Sequence, residues 1–357
     1  MNTKKTTKYL IFISAIVLLT LIPLISVSLG FKTEPRYEGE RKIGFRFKKN
    51  FPFRHELLRL HLDMRSEIFK AHPLPYKYIE GKDGFKFLGN SYYNATAVGL
   101  NAQILSTEQL NSLSEILLSN KHMVEKSGGS YYFAMAPLKS TTYPEKFPLK
   151  ALERVSRKQQ IDSLCTAIGV SFIDLGKHFK NNKKNIRIYH KTDSHWNDIG
   201  SLLAHQSIVE RLKEDFPGHD IKRYDFDEVT IDTIPVALGD INRFALLPLG
   251  EDLIRIQFKD APKFNELEHT LNSSTLPDDY LKKPSHKYSS DYNDLKVVCF
   301  HDSFMPGVSL FLRGAFKESV FLWDYRLNAE LILNERPDIV IQEAAELEIV
   351  DLIEVNQ

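Results

Sequence analysis

The chain has 357 residues, enough for one large domain and an attachment segment, and its content of 43% hydrophobic and 26% charged residues is ordinary for a globular protein. Its 47 basic and 46 acidic residues give a formal net charge of +1, which offers no bulk attraction to nucleic acid and argues against nucleic-acid binding. Cys165 and Cys299 are its two cysteines, too few for a disulfide framework, so we expect both to be buried small apolar residues.

An apolar run near the N-terminus predicts a membrane helix. Residues 9–29 are apolar or small, and their length of about 21 residues matches the roughly 20 that cross a bilayer as a helix. Three lysines precede the run, so the positive-inside rule places residues 1–8 in the cytoplasm and the rest on the exported side. A cleavable signal peptide, with Ser26 and Ser28 before the cleavage site, is the alternative; the length of the run favours an uncleaved signal anchor.

Residues 30–80 start as an irregular charged stretch and continue into a helical pattern around residues 55–69, which predicts a stalk and a membrane-proximal helix. From residue 81 to residue 357, helical and strand patterns alternate. The predicted elements, in chain order, are a helix from a capping box at Ser106 and Gln109 to Lys126, a strand at 131–137, a helix at 149–168 and a strand at 170–174. This alternation predicts an α/β domain of three layers with a mainly parallel sheet.

The pattern loosens between residues 217 and 295, where asparagine, aspartate, proline and serine are frequent. We predict that this part is an insertion that covers one edge of the functional site. Two further strands, at 320–323 and 338–342, flank a predicted helix at 328–334 and complete the domain.

An acid and an imidazole stand two residues apart at Asp193 and His195. The alternating residues 186–190 predict a strand that runs into this pair, and in an extended chain residues i and i+2 project to one side. Asn197 or Asp198 can cap the amphipathic helix predicted directly afterwards. Both side chains are therefore expected to face one pocket at a helix start.

Ser303 lies at a second junction of the same kind. Residues 296–300 are an apolar run suited to a buried strand, and residues 304–316 predict a helix that tolerates Pro306 only in its first turn. Ligands of open α/β sheets bind where strands end, and amides at a helix start can hold a developing oxyanion. An acid, an imidazole and a serine are the parts of a nucleophilic triad, so Asp193, His195 and Ser303 point to acyl transfer.

These motifs carry a family resemblance. The residues from Asp193 to Trp196, followed by an Asp-Ser-Phe element at residues 302–304, resemble the SGNH-like domain of alginate O-acetyltransferases and related polysaccharide O-acetylation proteins. The order Asp, His, Ser reverses that of ordinary SGNH esterases and corresponds to a circular permutation. Residues 81–89, 137–145 and 336–340 are similar to further segments of that family, so the resemblance covers roughly residues 80 to 350.

The resemblance implies a circularly permuted SGNH-like fold behind one transmembrane helix, and an acetyl group carried on Ser303 to a polysaccharide hydroxyl. His195 would be the general base and acid, and Asp193 its orienting carboxylate. The implied acetyl donor is a multi-pass membrane acyltransferase, with no bound cofactor. The implied location is the bacterial inner membrane, with the domain on the periplasmic or extracellular side. Lys139 and Trp196 are the candidate substrate-binding residues. Lys139 is implied near the substrate, against the alternative of a solvated loop charge, and Trp196 is expected mainly to pack and to shape the pocket wall.

Three other interpretations remain open from the sequence. Water in place of the sugar would make the protein a carbohydrate acetylesterase with the same triad. A non-catalytic polysaccharide-binding scaffold is suggested by His301, which stands where the family usually has a glycine that allows a tight turn. Finally, His190, Asp193, His195 and His301 offer nitrogen and oxygen ligands for a metal, although this would leave Ser303 without a role.

Overall fold

The computed structural model describes residues 54–72, 74–237, 239–245, 247, 250–267 and 285–355, together with a few positions between residues 9 and 21. The chain divides into two compact units, residues 1–74 and 75–357. Most of the predicted signal anchor at 9–29 and the start of the stalk lie outside the described residues. None of the helices that are described is both long and apolar enough to cross a membrane.

In the first unit, helix α1 (Arg54–Asp63) continues into a π-helical turn (Met64–Ile68). This agrees with the helical pattern predicted around residues 55–69.

The second unit is an α/β domain. Its strands are β1 (Tyr78–Glu80), β2 (Lys86–Leu88), β3 (Ser130–Ala136), β4 (Ser171–Asp174), β5 (Val229–Ala237), β6 (Glu251–Phe258), β7 (Asn265–Leu267), β8 (Ser285–Ser289), β9 (Lys296–Phe300), β10 (Glu318–Leu322) and β11 (Ile339–Ala345). Its helices are α2 (Ala95–Gly99), α3 (Thr107–Lys126), α4 (Lys139–Thr142), α5 (Arg157–Ile168), α6 (Phe179–Asn182), α7 (Asp198–Asp215), α8 (Asp240–Ala245), α9 (Met305–Leu312), α10 (Ala329–Glu335) and α11 (Ile349–Val355).

The central sheet has the strand order β4-β3-β11-β9-β10-β8-β7. The neighbours from β4 to β10 pair in parallel, whereas β8 pairs antiparallel with both β10 and β7. The predicted mainly parallel sheet is therefore confirmed. Because parallel strands end at the same edge, the loops after β3, β9 and β11 meet there, and the functional side chains lie at this edge.

Both faces of the sheet are covered, as the prediction of three layers requires. On β3, Tyr131 and Phe133 belong to one hydrophobic cluster, which includes residues of α3, α5 and α11. The alternate residues Tyr132 and Ala134 belong to a second cluster, which includes residues of α7 and α9. This period of two is the pattern of a strand buried on both faces.

Helix starts follow their capping residues. The predicted capping box of Ser106 and Gln109 is present, and α3 ends at Lys126 as predicted. The predicted helix at 149–168 is wrong at its start, because α5 begins only at Arg157. Ser156 and Gln159 form a second capping box there, in which each side chain accepts from the other residue's amide and so fixes the first turn.

The region 217–295 is more than an insertion beside the site. Strands β5 and β6 form a separate antiparallel pair, but β7 and β8 extend the central sheet at the edge next to β10. The sequence of this region lacks a clear strand pattern. Its strands β7 and β8 form because β10 provides a hydrogen-bonding edge. Residues 268–284 of this region lie outside the described residues.

Candidate active site

Asp193 and His195 lie in a turn and not at the end of a strand. The predicted strand at 186–190 is wrong: Tyr189 makes only an isolated bridge with Trp196, and the His190 amide donates to the His195 carbonyl at 3.2 Å. The segment folds back on itself, so it has no neighbouring strand to continue a ladder. The turn nevertheless brings Asp193 and His195 together, because Asp193 Oδ1 accepts from the His195 amide at 3.0 Å.

A capped helix begins directly after the turn, as predicted. The Asn197 side chain accepts from the amides of Ile199 and Gly200 at the start of α7. Helix α9 packs against α7 at close range, since a Cβ on Gly307 would lie 2.2 Å from the Ser201 hydroxyl. The helix that follows His195 and the helix that follows Ser303 are thereby held side by side.

The structure brings the three predicted triad residues into one hydrogen-bonded chain. Asp193 Oδ1 lies 2.7 Å from His195 Nδ1, and His195 Nε2 lies 2.8 Å from Ser303 Oγ. An ionised aspartate only accepts hydrogen bonds, so Nδ1 carries the ring proton and Nε2 is free to accept from the serine hydroxyl. This is the arrangement in which an imidazole can take a serine proton.

The charges of the pair support each other. Burial alone favours a higher pKa for Asp193, but the hydrogen bond and the charge of His195 outweigh it and lower the pKa of Asp193 well below its usual range. Burial likewise favours a lower pKa for His195, but its hydrogen bond to Asp193 and the charges of Asp193, Asp240 and Asp302 raise the pKa of His195 above its ordinary value. The imidazolium that a base forms on taking a proton is therefore stabilised.

A second acid, Asp240, reaches the triad from the region 217–295 and was not predicted. Its amide donates to Asp193 Oδ2 at 2.8 Å, and its carboxylate accepts from both the amide and the hydroxyl of Ser194. Asp240 Oδ2 lies 3.7 Å from His195 Nδ1. The preceding Gly239 permits this approach, since a Cβ there would lie 2.2 Å from the Thr192 carbonyl oxygen.

Lys139 supports the turn from beneath. Its side chain is buried, and Nζ donates to the carbonyls of Lys86, Lys191 and Asp193 at 2.6, 2.8 and 3.0 Å. An ammonium has three donors, so all are engaged. The alternative of a solvated loop charge is wrong, because the side chain is buried; Lys139 also lines the cavity beside the triad, so its role near the substrate stays a prediction. Burial lowers the pKa of Lys139 to about 7, although the negative charges of Glu251, Asp193 and Asp240 act to raise it.

The Glu251 side chain binds the backbone of the same turn. Its carboxylate accepts from the amides of Lys191 and Thr192 at 2.7 and 2.6 Å, and from the Thr192 hydroxyl at 2.8 Å. Arg187 pairs with it at 3.0 Å. The turn that carries the acid and the imidazole is thus fixed by side chains from distant parts of the chain.

The loop of Ser303 is fixed by two buried acids. Asp302 accepts from the amides of Phe304 and Ala345 at 2.8 and 2.6 Å, and its own amide donates to Glu343 at 3.1 Å. Burial and the neighbouring charge of Asp302 raise the pKa of Glu343 well above its ordinary value, which favours its protonated form. The loop is therefore anchored to the end of β11.

His301 fits the position where a glycine was expected. Its φ is not positive, so the backbone there does not need a glycine. Its amide donates to the Leu322 carbonyl at 2.9 Å, and its ring lies against Phe321 and Trp323. The ring Nδ1 is 2.7 Å from the Asp302 carbonyl, and burial lowers the pKa of His301 to about 4.

Trp196 is buried and packs edge to face against Phe179, Tyr189 and Phe304. Phe304 lines the cavity of the site, and Trp196 lies behind it. The predicted packing role agrees with this position, and the predicted substrate contact stays a prediction for a residue that does not itself line the cavity. Cys165 and Cys299 are free and buried, as expected.

A cavity of about 270 Å³ opens beside the triad. Its walls come from the loops after β3, β9 and β11 and from residues 87–95 and α8. The residues that line it are Phe87, Leu88, Tyr92, Tyr93, Ala95, Ala136, Pro137, Leu138, Lys139, Ser140, Ser194, His195, Asp240, Phe244, Ser303, Phe304, Ala345, Leu347 and Glu348. The nucleophile and the base thus face a space large enough for a substrate group.

The residues that could hold a metal ion differ from those predicted. Possible ligand atoms of Asp193, His195 and Asp240 lie within 4.8 Å of one another, whereas the expected His190 and His301 do not join them. His195 already uses one ring nitrogen toward Asp193 and the other toward Ser303. These contacts fit a proton-transfer chain, which leaves no ring nitrogen for an ion.

A mainly parallel α/β sheet with Ser303 after the end of β9, and with Asp193 and His195 in a turn beside it, is the arrangement of an SGNH-like fold. The chain belongs to the family of the SGNH hydrolase-like domain of acetyltransferase AlgX, whose sequence model matches residues 79–270. The predicted family resemblance is therefore confirmed. The matched residues include Asp193, His195 and Asp240, and Ser303 lies beyond them.

Solved structures share the fold. PatB1 of Bacillus cereus, seen with a sulfonyl adduct, is 18% identical with a TM-score of 0.53, over 68% of this chain and 89% of that chain. A DHHW family protein from Eubacterium siraeum is 14% identical with a TM-score of 0.53, over 76% of this chain and 95% of that chain. At these identities the likeness concerns the fold alone. No curated protein sequence matches the chain.

Proposed function

We propose that the protein is an O-acetyltransferase that moves an acetyl group through Ser303 to hydroxyls of an exported polysaccharide. The observation that carries this proposal is the hydrogen-bonded chain from Asp193 through His195 to Ser303. Membership of an acetyltransferase family supports the acyl group and the acceptor class. The permuted order of Asp, His and Ser fits the same family resemblance.

In the first half-reaction, Ser303 Oγ attacks the carbonyl carbon of the acetyl donor while His195 Nε2 takes the serine proton. The oxyanion that forms lies at the junction of β9 and α9, where we assign the Ser303 amide as a donor. The tetrahedral intermediate then collapses, the donor's leaving group departs with the proton from His195, and Ser303 keeps the acetyl ester.

In the second half-reaction, a sugar hydroxyl attacks the acetyl carbonyl and gives its proton to His195. Collapse of this second intermediate breaks the ester to Ser303 Oγ, which recovers the proton. Asp193 stays ionised throughout and stabilises the imidazolium twice. The acetyl group moves without an oxidant or a nucleotide.

The N-terminal sequence and the family resemblance support a cellular location for this reaction. Residues 9–29 would anchor the protein in the bacterial inner membrane, with the domain on the periplasmic or extracellular side. A multi-pass membrane acyltransferase would supply the acetyl group from the other side of the bilayer. The exported polysaccharide would then be modified during assembly.

Two alternatives differ in how the structure bears on them. A carbohydrate acetylesterase uses the same acyl-enzyme with water as the acceptor, so the geometry of Ser303 and His195 supports it equally. The non-catalytic scaffold was suggested by His301 in place of the family's usual glycine. The φ of His301 is not positive, so the backbone there does not need a glycine, which supports the catalytic proposal.

Turnover of an acetyl ester tests the proposal. The full-length protein in detergent would receive 4-nitrophenyl acetate with a panel of neutral, uronic-acid and amino-sugar oligosaccharides, and mass spectrometry would follow acetylated sugar against free acetate. We expect acetylated sugar from the unmodified protein and none from Ser303→Ala or His195→Ala. Acetate alone, with every acceptor, would favour the esterase. Substantial turnover by Ser303→Ala that a chelator abolishes would replace the triad with metal catalysis.

A further inference from the structure

The cavity beside Ser303 is apolar on the side away from the triad. Ala95, Val98, Leu138 and Leu347 form a small hydrophobic cluster of their own, and Leu88 packs against it. Four of these residues, all except Val98, line the cavity. A hydrophobic wall therefore continues directly from the catalytic serine.

Aromatic rings also line the cavity, and the backbone beside one of them is strained. The rings of Tyr92 and Phe244 are in contact, with centroids 4.8 Å apart. Tyr93 and the following Asn94 both have positive φ, 45° and 56°, which is unusual for a tyrosine. Strained backbone of this kind persists where the surrounding structure enforces it, often at binding sites. The Tyr93 hydroxyl is bound to Asp351 at 2.7 Å.

The size of the cavity exceeds what an acetyl group needs. An apolar cavity of about 150 Å³ is enough to hold benzene, with its six carbons. The cavity here is about 270 Å³. The single methyl group of an acetyl ester would leave most of the apolar wall without a partner.

The distribution of polar groups favours a hydrocarbon chain over a sugar ring. Ser194, His195, Asp240 and Ser303 gather at the catalytic end, and the three donors of Lys139 are already bound. Ser140, Glu348, Tyr92 and Tyr93 also line the cavity, and the Tyr93 hydroxyl is already bound to Asp351, so few polar groups lie along the path of a chain. A buried sugar hydroxyl without a partner weakens binding. Each buried CH₂ of an acyl chain instead strengthens binding about fourfold.

We propose that this cavity is an acyl-chain site, which accepts, besides acetyl, longer acyl groups while they are esterified to Ser303. By volume, chains of about four to eight carbons fit. The inference rests on the proposed function, because it names the acyl group that the same serine carries. The acceptor then approaches the ester carbonyl from outside the cavity, and Ala95 and Leu347 set the chain length.

A series of 4-nitrophenyl esters tests this site on the full-length protein in detergent. The acetyl, butyryl, hexanoyl and decanoyl esters would be compared by kcat/KM. Two further CH₂ groups in an apolar cavity give about a tenfold rise from acetyl to butyryl. A steady fall from acetyl onward overturns the acyl-chain site while leaving the proposed function intact. No turnover of any ester, together with no labelling of Ser303 by a fluorophosphonate, overturns both.

Variants of the wall make the test specific. Ala95→Leu fills the cavity and should lower the ratio of butyryl to acetyl kcat/KM about tenfold, whereas Leu347→Ala enlarges it and should shift the optimum to longer chains. Ala102→Leu, at an exposed position outside the cavity, is the matched control. Folding is checked by circular dichroism. If Ala95→Leu does not fold, the chain-length preference of Leu347→Ala tests the proposal. Unchanged chain preference in a folded variant overturns the proposal.

Discussion

Asp240 donates its backbone amide to Asp193 Oδ2 at 2.8 Å, across 47 residues of sequence. His195 holds the other oxygen, Oδ1, so the triad acid is bound on both sides. The Asp240 carboxylate is itself close to His195 Nδ1 and binds Ser194. Burial and the charge of Asp193 raise the pKa of Asp240 above its ordinary value. The His195 ring thus faces two acids: Asp193 is hydrogen-bonded to it, whereas Asp240 is near it without a hydrogen bond.

Asp240→Asn should slow acyl transfer without unfolding the domain. The backbone amide that holds Asp193 remains, but a negative charge near the imidazole is lost. The carboxylate lies 3.7 Å from His195 Nδ1 and makes no hydrogen bond to it, so the loss is a Coulomb attraction of about 1 kcal/mol or more, or at least about fivefold in kcat/KM. Asp232→Asn, an exposed position on β5, is the matched control. Wild-type rates and an unchanged pH profile in Asp240→Asn would show that this acid does not act on His195.

The rate should fall on the acid side with a midpoint above pH 6.5. His195 must be neutral to take the serine proton, and its pKa is raised by the hydrogen bond and charge of Asp193, with smaller contributions from Asp240 and Asp302, against the effect of burial. A raised pKa keeps the ring protonated to higher pH, so activity is lost earlier as the pH falls. Asp193→Asn and Asp240→Asn should each move the midpoint to lower pH. The check is kcat/KM from pH 5 to 9; a midpoint below pH 6.5 in the unmodified protein contradicts the assignment.

Lys139→Met should destabilise the domain as well as reduce activity. The variant leaves three carbonyls without their donor, at roughly 1–3 kcal/mol each, and avoiding the burial of an ammonium offsets part of this, so the net loss is about 2–4 kcal/mol. Lys150→Met, at an exposed site, is the control. Thermal or urea unfolding measures the effect. A normal stability with a raised KM would instead support a substrate contact for Lys139.

Glu343 should make the domain less stable as the pH rises. Its folded pKa is raised, so above about pH 4.5 the unfolded chain loses this proton while the folded chain keeps it. Stability then declines with pH by up to about 1.4 kcal/mol per unit until the folded pKa is reached. Glu343→Gln keeps an acceptor for the Asp302 amide and cannot ionise.

The variant should therefore exceed the unmodified protein in stability at pH 8, and the difference should shrink toward pH 5. Glu115→Gln, an exposed position on α3, provides the comparison. Equal pH dependence for Glu343→Gln and the unmodified protein would mean that Glu343 is ionised in the folded state.

Short-range patterns made much of this domain predictable. Capping residues placed the helices α3 and α7, and apolar runs placed β3 and β9, because these signals act within a few residues. The spacing of Asp193 and His195, with Ser303 after its strand, indicated a triad for the same reason. The strand predicted at 186–190 failed because alternation alone does not supply a hydrogen-bonding partner.

The features that the sequence left hidden depend on distant contacts. Asp240 lies in a region of loose pattern, and only the close approach of Gly239 to Thr192 brings it to the triad. Lys139 was expected near solvent or substrate because lysines are rarely buried. Its ammonium can be buried because three backbone carbonyls accept its hydrogen bonds, and these carbonyls come together only in the folded chain.

Covalent labelling tests the central claim, that His195 activates Ser303 as a nucleophile. The full-length protein would be treated with a fluorophosphonate, digested, and mapped by mass spectrometry, beside Ser303→Ala and His195→Ala. The account predicts a label on Ser303 in the unmodified protein, none in Ser303→Ala, and labelling slowed by at least about a hundredfold in His195→Ala. A folded, unmodified protein that stays unlabelled at Ser303, or that labels as fast without His195, would contradict it.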